Sequence, residues 1–115
     1  MSVSLLNILE IMRDIIGGTV RIYETITKFE EESGKPFDKA LEDMTKDKEF
    51  WTRVPAEVIG EFFTIYAKYY SLSLKLENFT SLSVEEKRKI VKSLRSLEHE
   101  LEEFTAKVKN MVVQQ

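Results

Sequence analysis

The sequence predicts an all-α protein, and three observations carry that expectation. Apolar residues recur in alternating steps of three and four through three long segments. Each segment opens at a residue suited to a helix start. The first two are separated by Gly34, Pro36 and Pro55, which stop or restart a helix. The expected architecture is an antiparallel up-down bundle of three long helices, at about 4–32, 55–79 and 83–112. A short bridging helix at about 36–46 and an extra turn near 48–53 connect the first two. The whole of 1–115 is expected to be a single domain, a length typical of one.

The first helix starts near Ser2 or Ser4, either of which can accept the orphan N–H groups of its first turn. Its seam runs Leu5, Ile8, Met12, Ile15, Thr19, Ile22, Ile26 and Phe29, a heptad pattern over nearly the whole segment. Gly17-Gly18 lies off this seam. One continuous helix with a soft spot is expected, the alternative being a break at the pair, since each interior glycine costs about 1 kcal/mol relative to alanine. Ser33-Gly34-Lys35-Pro36 ends the helix: glycine suits a left-handed cap, and proline cannot continue the ladder. Pro36 then fits the first turn of the bridging helix, whose apolar stripe is Phe37, Ala40, Leu41 and Met44. Asp47 caps a further turn that holds Phe50 and Trp51.

The second long helix opens at Pro55, with Glu57 in the first turn where the helix dipole favours an acid. It has two adjoining stripes: Val58, Phe62, Ile65, Tyr69, Leu72, Leu76 and Phe79, and beside them Ile59, Phe63, Tyr66, Tyr70 and Leu74. A face this wide marks a helix contacted from more than one side. The last helix begins with Ser83-Val84-Glu85-Glu86, a capping box, and its seam is Ile90, Leu94, Leu97, Leu101, Phe104, Val108 and Met111. That stripe is narrow, so the last helix is expected to be the most exposed of the three. The short link from Phe79 to Ser83 makes the last two helices antiparallel. At 1.5 Å per residue the long helices run on the order of 35–45 Å.

Composition narrows function by exclusion. With 43% apolar and 32% charged residues the chain supports both a core and a solvated exterior, and a net charge of −3 creates no global attraction for nucleic acid or an anionic surface. The absence of cysteine removes disulfides, thiolate nucleophiles and cysteine metal sites. No signal peptide and no membrane span are expected, so the cytoplasm is the expected location and Asn78-Phe79-Thr80 is read as a chance glycosylation match. Lys and Glu dominate the charges and Gln occurs only at 114 and 115, a usage resembling that of heat-loving organisms.

No catalytic, cofactor or metal constellation is legible, and the chain is expected not to be an enzyme. The single histidine, His99, stands opposite the last seam. A ferritin-like site needs a Glu three residues before an inward histidine, and Ser96 occupies that position. Arg95 and His99 resemble the Arg/His pair of HEPN-type helical ribonucleases only in those two residues, with fewer residues between them than that family has. The acidic runs Glu30–Glu32 and Glu98, Glu100, Glu102, Glu103 read as solvated surface.

Two features suggest binding. Tyr66 and Tyr70, with Leu9, Ile16, Val20 and Tyr23 of the first helix, form a candidate protein interface, because three helices leave much of that apolar surface uncovered. Arg88, Lys89, Lys92 and Arg95 share the outer face of the last helix. Cations near a helix N-terminus oppose its dipole, so these four are candidate nucleic-acid contacts. The leading expectation is a helical interaction or scaffold protein, a homodimer or a small subunit of a larger assembly, whose partner is itself or another protein. A nucleic-acid-binding module is the alternative.

Overall fold

The computed structural model describes residues 4–113, and among these the protein is all-α. The elements are α1 (Leu5–Ser33), α2 (Phe37–Lys46), α3 (Lys48–Thr52), α4 (Ala56–Leu76), a 3-10 turn (Phe79–Ser81) and α5 (Val84–Val113). The chain divides into two compact units between Lys48 and Glu49.

In the first unit, Ser4 caps α1, its Oγ accepting the Asn7 N–H at 3.1 Å. Ser2, the other expected cap, lies outside the described residues. α1 runs unbroken through Gly17-Gly18, as one helix of 29 residues. A Cβ added at either glycine would meet nothing nearer than the Arg21 guanidinium, at 3.8 and 3.9 Å, so packing within the chain does not demand glycine at these positions. The helix ends where expected: Gly34 takes φ 77°, the left-handed region closed to most residues, and its N–H returns to the Glu30 carbonyl at 2.9 Å.

Pro36 stands just ahead of α2 and not within its first turn, with φ −58° and ψ 145°. Proline brings no side-chain acceptor, so the start of α2 is capped from outside. Glu30, expected as part of an acidic surface run, accepts the Phe37 N–H on Oε2 at 2.8 Å. Phe29 and Phe37 close the same corner edge to face, with centroids 5.6 Å apart. Lys35 and Lys39 both reach Asp43, at 3.2 and 3.3 Å, holding its carboxyl below the usual carboxylate range. No side chain of α1 or α2 is buried.

The second unit is a hairpin of α4 and α5 with α3 against one end. Antiparallel pairing is read from the cross-contacts: Glu57 and Glu61 meet Lys107, Lys68 meets Glu100, and the Phe79 ring lies under Lys87. The numbers fall on one helix as they rise on the other. Leu72, Ile90 and Leu97 form the core at 5–8% exposure, with Ile65, Phe79, Leu82 and Leu94 packed around them. At the far end Trp51 of α3 lies 5.0 Å from the Phe62 ring and 5.1 Å from that of Phe63, and Val58, one turn before Phe62 on α4, is buried.

α4 stops at Leu76, three residues before the expected Phe79. Asn78 leaves the helical basin at φ −115°, ψ 27°, and its carbonyl accepts both the N–H and the hydroxyl of Ser81, at 3.1 and 2.9 Å. The 3-10 turn brings Phe79 and Leu82 onto the hairpin core, so Phe79 completes the apolar seam without being α-helical. Ser83 caps α5 as its sequence signature predicts, accepting the Glu86 N–H at 3.1 Å.

The last helix is not the most exposed of the three; α1 is. Periodicity shows which face is apolar but not what covers it, and α5 has α4 for a partner. Among the described residues no helix is long and apolar enough to cross a membrane.

The core assignment has a direct check. Leu97→Ala should cost about 2–4 kcal/mol in urea unfolding followed by Trp51 fluorescence, because it empties the centre of the hairpin. Leu101→Ala, at a side chain 39% exposed on the same helix, should cost roughly half as much or less.

Candidate functional site

α1 offers the largest uncovered surface. Eleven large apolar side chains from Leu5 to Tyr23 are 45–72% exposed. Leu9, Ile16, Val20 and Tyr23, the interface candidates on this helix, all belong to that set and follow one another at turn spacing. Ile16, Val20 and Tyr23 border a shallow open groove with Thr27. The polar residues within this surface are largely satisfied locally: Thr19 donates its hydroxyl to the Ile15 carbonyl at 2.9 Å, and Thr25 to the Arg21 carbonyl at 2.8 Å.

The two tyrosine candidates on α4 differ. Tyr66 is half-buried and stacks on Phe62, centroids 6.1 Å apart and planes 21° from parallel, so it belongs to the aromatic row that begins at Trp51. Tyr70 is 55% exposed. Neighbouring Tyr69 lines an open groove on the hairpin with Val91, Leu94 and Leu101, edged by Arg95, Glu98, Glu102 and Lys109.

The candidate nucleic-acid contacts Arg88, Lys89, Lys92 and Arg95 are all exposed on α5. Among the described residues none of them forms an ion pair. Lys87, beside them, is drawn over the Phe79 ring at 5.6 Å instead. The four cations are thus exposed on α5 and held in no ion pair, with Glu98 and Glu102 beside Arg95 on the rim of the same groove.

The carboxylates do other work. Glu57 and Glu61, one turn apart on α4, would repel each other. Lys107 bridges them at 2.6 and 2.7 Å. Glu100 takes the Lys68 ammonium on both oxygens, at 2.9 and 3.0 Å. His99 Nε2 stands 2.9 Å from Glu103 Oε1 on an open face. Among the described residues no three His, Asp or Glu side chains converge as metal ligands would. These cross-helix pairs were not legible beforehand, because they depend on the register of α4 against α5. The one available signal was that Glu57 and Glu61 repeat at helical spacing.

The Lys107 bridge sets a pH dependence. Hydrogen bonding from Lys107, and then its charge, hold the Glu57 carboxyl below its usual 4.5, while the same partners hold Lys107 above its usual 10.5. Glu57 contributes stability above about pH 4.5 that is lost as pH falls through its lowered value. Lys107 contributes stability below about pH 10.5 that is lost as pH rises through its raised value. Lys107→Met should therefore make both limbs of a melting-temperature profile, taken by circular dichroism from about pH 3 to pH 11, slightly shallower, with the Asp43 and Glu42–Lys46 pairs keeping their own contributions. Limbs unchanged from the parent would show that the bridge is not what titrates.

No family model, curated protein or solved structure matches this chain.

Proposed function

We propose that this chain is a non-catalytic helical interaction protein that buries the apolar face of α1 against another protein chain, as a homodimer or as a small subunit of a larger assembly. The observation that carries this reading is the run of eleven exposed apolar side chains from Leu5 to Tyr23. Monomeric proteins rarely leave a contiguous patch beyond a few hundred Å². Eleven such side chains, each about half exposed, amount to on the order of 1,000 Å², which meets the roughly 800 Å² per partner of a standard interface. The acids found here are paired across helices, cap a neighbour or face water, which suits a scaffold better than acid–base chemistry.

The test combines light scattering on the pure chain with a dye for apolar surface and amide hydrogen exchange in α1. A species heavier than the 13.4 kDa monomer, or a monomer that binds dye and exchanges α1 amides freely, supports the reading. A monomer that ignores the dye and protects α1 shows that the chain covers this face itself, and the reading fails.

The four unpaired cations on α5 favour a second reading, a nucleic-acid-binding module. Charge reversal at Lys89, Lys92 and Arg95 should then abolish retention on RNA or DNA at low salt, and retention by the parent should fall steeply as salt is raised. A parent chain not retained at low salt, or variants retained equally, would dismiss it.

A further inference from the structure

We infer that the occupant of the α1 face is a second copy of this chain, with the two α1 helices packed antiparallel about a two-fold axis at Gly17-Gly18. This rests on the reading of α1 as an association surface and names its partner.

The seam of α1 is centred on Gly17, so reversal maps it onto itself. Ile15 then meets the partner's Thr19, Met12 the partner's Ile22, Ile8 the partner's Ile26 and Leu5 the partner's Phe29. A two-fold interface requires this self-complementarity. Thr19 can be covered without loss because its hydroxyl already donates to the Ile15 carbonyl.

The flanks agree. On one side Leu9 approaches the partner's Tyr23, and Ile16 approaches the partner's Ile16. On the other, Gly18 approaches the partner's Gly18 at the axis, where the absence of a side chain lets two backbones come close. Nothing in the chain itself needs glycine there. Between Leu5 and Phe29 every charged residue lies outside the seam and both flanks, so no like charges are brought together.

Charge also selects the direction. α1 carries no acid in its first turn, leaving its N-terminal dipole unopposed. At its other end Glu31 and Glu32 are exposed and, among the described residues, form no ion pair. Antiparallel packing sets those acids beside the partner's N-terminal end. Parallel packing would gather four acids at one end.

The experiment uses the full chain, which has no native cysteine. Light scattering should give twice the 13.4 kDa monomer mass. Under mild oxidation Ile16→Cys should cross-link to its own copy. Leu5→Cys should not, yet should cross-link when mixed with Phe29→Cys. Gly18→Lys and Gly17→Lys change helix propensity and net charge alike, but only position 18 faces the axis. Gly18→Lys should weaken the dimer at least tenfold and Gly17→Lys should not, with helicity checked by circular dichroism.

A parallel pattern, in which Leu5→Cys cross-links to itself, overturns the inference. So does equal weakening by the two lysines. A monomer whose α1 binds dye and exchanges freely also overturns it while leaving the association reading intact. A monomer with a protected α1 overturns both.

Discussion

An α-helix in water gains little from its own hydrogen bonds, because nucleation is unfavourable and propagation nearly neutral; tertiary burial of one face supplies most of its stability. α1 has 29 residues and no buried side chain. Its in-chain support is concentrated at the two ends: the Ser4 cap at one, and at the other the corner built from Gly34, Glu30 and the Phe29–Phe37 contact. Between those ends lies the most apolar stretch of the helix, and two glycines. The uncovered face of α1 is thus the physical constraint to which the rest of the molecule must answer.

The hairpin shows what a satisfied helix pair looks like in the same chain. Leu72, Ile90 and Leu97 exclude water at its centre, and the 3-10 turn folds Phe79 and Leu82 over one end. Trp51 closes the other against Phe62 and Phe63. The ion pairs contribute alignment more than energy. Lys68–Glu100 and Lys107–Glu57/Glu61 are largely solvated, and exposed pairs are worth little. A slip of α5 along α4 by one turn would nevertheless break both at once and leave Glu57 and Glu61 facing each other unscreened.

Most of the helical architecture was legible in the sequence, because helix signals are local. Ser83, Gly34 and the seams of three and four each act within a few residues, and the structure places them as those rules require. The misreadings share a cause. Phe79 keeps the seam spacing, so the sequence carries the helix through it, whereas the requirement is only that Phe79 reach the core. Glu30 looks like one of three surface acids until Pro36 leaves the Phe37 N–H without a local acceptor. The double grip of Lys107 depends on which residues of α5 face which of α4, and no single helix encodes that. The binding surfaces were partly legible: wide apolar stripes and clustered cations are visible in one dimension, but what covers the first or neutralises the second is a fact of tertiary structure. Tyr66 is the instructive case, since Phe62 takes it into the aromatic row while Tyr70, one turn later, stays open.

Some features repay their cost within the chain and others do not, and magnitude ranks the second group. The cations of α5 oppose a helix dipole by a few tenths of a kcal/mol each at exposed positions, an effect salt weakens further. The Gly17-Gly18 pair costs about 2 kcal/mol against two alanines. The apolar face of α1 is larger than either: on the order of 1,000 Å² left in water forgoes on the order of 20 kcal/mol of gross burial, before the entropy of association is charged against it. Natural sequences depart from local consistency chiefly where function requires it. By that ranking the apolar face of α1 outweighs the basic stripe, and of the two glycines it is Gly18, without a packing role in the chain alone, that a second backbone would approach in the dimer proposed above.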